Sequence, residues 1–250
     1  MILSTFDDMM RVARPDLYYF RRNLPSILIT IMVTPLLYYV SFGYGLAPNV
    51  SEIEGVSYVA FVIPGVIALS TLTSCFSSIA NKVLVQRVYY SSFDEVILCP
   101  ISPSAVILGK AFIGFVRGMI GATILIAIGL LMSDMEVNLT LMLCVVVSCI
   151  VASLLGVLVG LISNSLTHIT MFTSLIIVPM TFLCGTVFSV SSLPGPVQYA
   201  VWAMPLTYST DVIRSAALGW EFPFVSLGVL VAFGVAFFLI CRYLLVKGKV

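Results

Sequence analysis

Apolar residues in this chain come in long unbroken runs, with polar residues confined to short breaks between them. A membrane-spanning helix needs about 20 mostly apolar residues. Six runs meet that length: 25–46, 58–80, 105–132, 139–163, 170–188 and 223–246. The break at 133–138 is short but holds Asp134 and Glu136, and the break at 164–169 is polar and uncharged, which predicts a tight hairpin. The stretch 179–219 fits neither pattern. It starts as a span and stays apolar and aromatic, yet it carries Pro194, Gly195, Pro196 and Pro205. The spacing predicts two short helices lying at, or dipping back into, the membrane face. Non-helical backbone at that depth is tolerated only where protein covers it or a water-filled cavity adjoins it. A transport path is a reason for such a structure.

Composition agrees with this reading. The chain is 60% apolar and 9% charged, against about 25% charged in a soluble domain. The class expected is an all-α, polytopic membrane protein. Net charge is near zero, so no basic face points to nucleic acid. The first 24 residues hold seven charged side chains and no leading apolar core, so they do not read as a cleavable signal peptide.

The distribution of bases predicts the orientation. Arg11, Arg14, Arg21 and Arg22 precede the first run, Lys82, Arg87 and Lys110 lie between the second and third, and Arg242, Lys247 and Lys249 end the chain. The opposite connections, 47–57 and 133–138, hold Glu52, Glu54, Asp134 and Glu136 and no base. Both termini are therefore expected in the cytoplasm of a cell-membrane protein, with 190–219 outside. No internal repeat is visible.

Two inner segments carry patterns of their own. In 4–22, Phe6, Met9, Met10, Ala13, Leu17 and Phe20 recur at spacings of three and four opposite four arginines. That predicts an interfacial helix, kinked or restarted at Pro15. It serves either as a topogenic anchor or as a gate or partner contact. In 81–109, Phe93, Val96, Ile97 and Leu98 follow Asp94 and Glu95, with Ser91 or Ser92 as the cap and Pro100 and Pro103 as stops. This short amphipathic helix rests on the bilayer or, the favoured reading, fits a groove in a partner protein.

Enzyme chemistry has no purchase here. There is no G-x-x-x-x-G-K-[ST], no metal-ligand spacing and one histidine, His168, in a connection. No cofactor is expected. Cys75, Cys99, Cys144, Cys149, Cys184 and Cys241 read as small packing residues. The six runs contain no Asp or Glu, and their deep base, Arg117, lies where it can snorkel. The missing carboxylates argue for an external energy source. The rival readings are a stand-alone secondary carrier or channel, and a non-transport scaffold.

The ordered pieces Cys99-Pro100-Ile101-Ser102-Pro103, Gly109-Lys110, Gly185 to Phe188, Leu193-Pro194, Pro205-Leu206-Thr207 and Asp211 through Arg214 to Gly219 span nearly the whole chain. Together with six runs and an amphipathic N-terminus, they resemble the ABC-2 family of ATP-binding cassette exporter permeases, nearest the drug-resistance and nodulation-factor export subgroup. The resemblance implies a permease that is not itself an enzyme. It would form a dimer in membrane lipid and bind two copies of a separate ABC ATPase. It makes 81–109 a coupling helix, with Tyr89, Tyr90, Phe93, Glu95, Val96 and Ile97 at the ATPase, and 190–219 a pair of external re-entrant helices. It implies a path lined by the first, second and fifth spans, where the candidate side chains are Tyr38, Tyr39, Phe42, Tyr44, Phe172, Phe182 and Phe188. Asp211 and Arg214, an i,i+3 pair, read as fixing the exit helix. The cargo implied is a lipophilic drug, a lipid or a saccharide.

Overall fold

A computed structural model of the chain describes residues 2–38, 40–41, 52–53, 55–90, 92–132, 137–188, 190 and 194–247. Among these residues, five helices are long and apolar enough to cross a membrane: Tyr58–Tyr89, Pro103–Leu131, Leu139–Ile162, Leu166–Leu183 and Phe224–Val246. They match the second to sixth predicted spans. The first begins as a 15-residue helix, α2 (Leu24–Tyr38), and residues 39 and 42–46 of that prediction lie outside the described residues. The all-α expectation has one small exception. Strands β1 (Glu52–Ile53) and β2 (Val56–Ser57) pair antiparallel just before α3.

The N-terminal segment is one helix, α1 (Ile2–Arg22). It runs through Pro15, which sits exposed, so the expected break does not occur. Its buried side chains are Val12, Ala13, Asp16 and Phe20, and it packs on α5 (Pro103–Met132). Only part of the predicted stripe is therefore used against protein; Phe6 stays exposed.

At the centre stands α3 (Tyr58–Leu84), capped by Ser57, whose hydroxyl accepts from the Ala60 amide. It packs chiefly against α6 (Leu139–Ile162) and α5. Small residues allow the close approach that membrane helices need in place of a hydrophobic driving force. A Cβ on Gly156 or Gly160 of α6, or on Gly114 or Gly118 of α5, would lie within 3.0 Å of an α3 atom. Beyond α3, one π-helical stretch, Val85–Tyr89, leads to α4 (Ser92–Leu98). Pro103, expected to stop a helix, instead opens α5 as its first residue, behind Ser102, whose hydroxyl accepts from the Ala105 amide at 3.3 Å. A proline at that position loses no hydrogen bond, because a first-turn N–H has no partner within the helix.

The fifth span is α7 (Leu166–Phe172), a π-helical stretch Thr173–Ile177, and α8 (Val178–Leu183). Two short helices follow, α9 (Gly195–Trp202) and α10 (Pro205–Leu218), and then α11 (Phe224–Val246). The fifth span and α11 are mostly exposed, whereas α3 and α6 are mostly buried.

Candidate functional site

A cavity of about 230 Å³ opens between α2, α3, α5 and α8. Its wall on α3 carries Ser70, Thr73, Ser74 and Ser77, which share one helix face at these spacings. Thr30 and Tyr38 of α2, Thr181 of α8 and Arg117 of α5 add polar groups, and Ile31, Pro35, Val66 and Leu69 supply the apolar remainder. A second cavity of about 670 Å³ shares Ser77 and Arg117 with the first and extends to Asp16, Asn81, Lys82, Gln86 and Tyr90. Hydroxyls, amides and bases thus line the two cavities along α3 from its middle to its basic end, with Ser77 and Arg117, common to both, at the neck between them.

Helices of the first, second and fifth predicted spans meet at this cavity. Of the aromatic candidates, Tyr38 lines it. Phe172 instead stacks on Phe76, centroids 5.8 Å apart, against the core. Phe182 is exposed and Phe188 half-buried. Tyr39, Phe42 and Tyr44 lie outside the described residues. The hydroxyl stripe went unread in the sequence, although Ser70, Thr73, Ser74, Ser77, Ser78 and Asn81 recur on one face at helical spacing.

Beyond the larger cavity lies α4. Phe93 is 2% exposed and packs with Ile79 and Val83 of α3, Ile107 of α5, and Leu158 and Leu161 of α6. Val96 lies half-buried against the same cluster. Phe93 therefore fixes α4 to the spans and presents no surface of its own, while Tyr89, Tyr90, Glu95 and Leu98 are exposed, Leu98 at 85%. Ile97 is part of α4. Arg87, in the π-helical stretch before α4, donates to the carbonyls of Leu161 and Ser163 and to Asn164 Oδ1. It places a cation at the C-terminus of α6, where the helix dipole favours one.

A buried ionic cluster joins α1 to this region. The Asp16 carboxylate lies 3.0 Å from Lys82 Nζ and 3.4 Å from Lys110 Nζ, and it accepts from Gln86 Nε2 at 3.3 Å. Lys110 also donates to Gln86 Oε1 at 2.7 Å. The sequence signal for Asp16 was its place in the apolar stripe, three residues after Ala13 and four before Phe20.

At the far end, Arg214 of α10 is buried. Its Nε donates to Phe61 O at 3.2 Å, and one terminal nitrogen donates to Gly185 O at 2.6 Å and Thr186 O at 3.4 Å. The guanidinium lies 3.7 Å from the Phe61 ring centroid. Gly185 takes φ 74°, and Gly65 of α3 leaves room for the Thr186 carbonyl, which a Cβ would meet at 2.2 Å. Asp211 has a different partner, accepting from the Ser226 hydroxyl of α11. The i,i+3 pair thus holds α10 at two separate places.

The model of the ABC-2 type transporter family matches residues 14–218. The chain belongs to that family. This ABC-2 chain is 27% identical over 238 residues to the inner membrane transport permease YadH of Escherichia coli K12, covering 94% of this chain and 93% of that protein. It is 25% identical over 213 residues to nodulation protein J of Bradyrhizobium diazoefficiens, covering 83% and 80% of the two chains. Nodulation protein J of Rhizobium meliloti is 27% identical over 218 residues. The ABC-2 match takes in Asp16, both cavities, α4 and Arg214. With its five apolar helices, the chain is a multi-pass membrane protein of the transport-permease type.

Proposed function

We propose that this chain is the membrane-spanning subunit of an ATP-driven exporter. It works as a dimer with two copies of a separate ABC ATPase, and its basic end and both termini face the cytoplasm. The observation that carries this reading is the construction of α4. One side is locked into the spans by Phe93, and the other leaves Glu95 and Leu98 exposed, with Tyr89 and Tyr90 exposed in the segment just before it. Such an apolar and aromatic face fits a partner groove. ATP-driven closure of the partners moves α4. Because Phe93 shares a cluster with Ile79, Val83 and Ile107, the movement reaches α3 and α5, the two helices that carry Ser77 and Arg117 at the neck. Cargo then leaves past α9 and α10. A lipophilic drug, a lipid or a lipid-linked saccharide suits a route that is half apolar and half hydroxylated.

The test is co-purification from cells expressing the chain with its cognate ATPase. Wild-type protein is expected to carry the ATPase stoichiometrically. Leu98→Glu, at an exposed position, is expected to leave the permease folded and monodisperse and to reduce bound ATPase at least about tenfold, as loss of an interface anchor does. A permease that binds no ATPase, or a Leu98→Glu variant that binds it at full strength, refutes the docking role of α4.

A further inference from the structure

Two buried polar atoms in the wall of the smaller cavity stand out. Ser70 Oγ and Arg117 Nε each lack a hydrogen-bond partner among the described residues, and both residues line that cavity. Neighbouring hydroxyls behave differently. Thr73 and Thr30 donate to carbonyls of their own helices, at 3.0 Å to Leu69 O and 2.9 Å to Ser26 O. Buried polar groups are nearly always paired, so two orphans facing one space make it a candidate binding site. The charges say which kind. Among the described residues the ion pairs are Arg11–Asp8, Lys82–Asp16 and Lys110–Asp16. Asp16, the one acid lining the adjoining cavity among the described residues, is thus taken up by two lysines. Arg117 is left, among the described residues, as a cation at the neck without a carboxylate. A cation held among apolar helices is costly unless paired, and this one lines both cavities.

We infer that Arg117 and Ser70 form a recognition site for an anionic group, a phosphate or a carboxylate, carried by an amphiphilic cargo. This rests on the cavities being the cargo route. A guanidinium offers a planar fork to such a group, and Ser70 adds a hydroxyl donor from the facing helix. At about 230 Å³, the cavity is below the roughly 300–1,000 Å³ of sites for drug-sized ligands. It holds a head group rather than a whole amphiphile. The apolar side of the wall, Ile31, Val66 and Leu69, accepts the start of an acyl or alkyl chain.

The test is a binding titration of the purified full chain in neutral detergent, without any ATPase. The probes are dodecyl phosphate, a neutral dodecyl glycoside and inorganic phosphate alone. Wild-type protein is expected to bind dodecyl phosphate saturably. Arg117→Gln is expected to weaken that binding at least about tenfold, the scale of a lost charge-assisted contact. Arg117→Lys, which keeps the charge but loses the fork, weakens it less than Arg117→Gln, and Ser70→Ala weakens it about threefold, as loss of one neutral hydrogen bond does. Equal binding by wild type and Arg117→Gln overturns the site, and so does a wild type that takes up the glycoside as readily as the phosphate ester. Inorganic phosphate binding as tightly as dodecyl phosphate overturns the amphiphile assignment and makes the ligand a free anion. If Arg117→Gln does not fold, Ser70→Ala decides, because unchanged affinity there counts against the site. Failure to find an ATPase sinks the exporter reading without altering this titration, and a flat titration sinks the anion site without touching α4.

Discussion

Replacing Asp16 with Asn keeps the shape of the side chain and removes the charge that two lysines share. The carboxylate side chain is 5% exposed, Lys110 is 8% exposed and Lys82 is 25% exposed. Lys82 has a way out to solvent, whereas Lys110 would keep only Gln86 Oε1 at 2.7 Å. Removing one partner of a buried pair costs about 3–5 kcal/mol, because the other charge stays buried. With Lys82 free to turn away, the lower figure applies, about 3 kcal/mol, which is about a hundredfold in equilibrium constant. The loss falls on the docking of α1, whose other anchors are Val12, Ala13 and Phe20. Hydrogen exchange followed by mass spectrometry in a nanodisc reads it directly. Amides 12–20 of D16N are expected to exchange about a hundredfold faster than wild type by this arithmetic, while those of α6 stay unchanged. The double variant D16N/K110M removes both buried charges and should return most of the protection, since replacing a buried pair by apolar groups is often neutral. Exchange in D16N within twofold of wild type would refute the reasoning, as would a double variant exchanging as fast as D16N.

Two further substitutions converge on one carbonyl. Gly65→Ala places a Cβ 2.2 Å from Thr186 O and Arg214→Met removes the donors to Phe61 O, Gly185 O and Thr186 O. Each is expected to destabilise by about 1–3 kcal/mol, through overpacking and through lost charge-assisted hydrogen bonds respectively. Because both displace Thr186, the fall in Tm of the double variant should be clearly less than the sum of the single falls; additive shifts would show that Gly65 and Arg214 act independently.

The spans were legible because an apolar run of bilayer length has few other uses. Their ends were less so. The second was expected to stop at 80, where Asn81 and Lys82 begin the polar stretch, yet the helix continues to Leu84 and on through a π-helical stretch to Tyr89. Lys82 and Gln86 remain helical because α1 supplies Asp16 to pair with them, and no local pattern announces a partner 66 residues away. Pro103 misled in the opposite sense, since a proline reads as a stop from one side and as a first helical residue from the other. The cavity was hidden for a chemical reason. Serine and threonine barely interrupt an apolar run, and Thr73 bonds to a carbonyl of its own helix, so the stripe from Ser70 to Ser77 vanished into the hydropathy of its span, while the aromatics drew attention. Arg214 was seen, but its partners are backbone carbonyls of Phe61, Gly185 and Thr186, which no sequence pattern encodes.

The crossing of α3 and α5 shows how a push on α4 would act on the cavity. The helices touch most closely where Gly118 faces Cys75, with a Cβ on the glycine meeting Cys75 Sγ at 2.2 Å. Phe93 shares a cluster with Ile79 and Val83, one and two turns beyond that contact, so α4 delivers force away from the natural pivot and turns α3 about it. Ser77 lies two residues from that pivot and Val66 nine, on its other side. At 1.5 Å per residue the lever arms are about 3 Å and about 14 Å. A tilt of α3 by about 10° therefore shifts Ser77 by about 0.5 Å and Val66 by about 2.5 Å on the same helix geometry. The neck at Ser77 and Arg117 barely moves while the part of the cavity beside Pro35 and Thr181 widens. That asymmetry suits the outward release proposed above, because cargo held at the neck would meet an opening on the side away from α4. Spin labels paired between Val66 and Pro35, and between Ser77 and Arg117, measure it in the ATPase-bound complex. On trapping with ATP and vanadate, the first distance is expected to lengthen by about 2.5 Å and the second to change by less than about 1 Å on the lever arms above. Equal lengthening at both positions would mean that α3 and α5 separate as rigid rods and that the contact at Gly118 is no pivot.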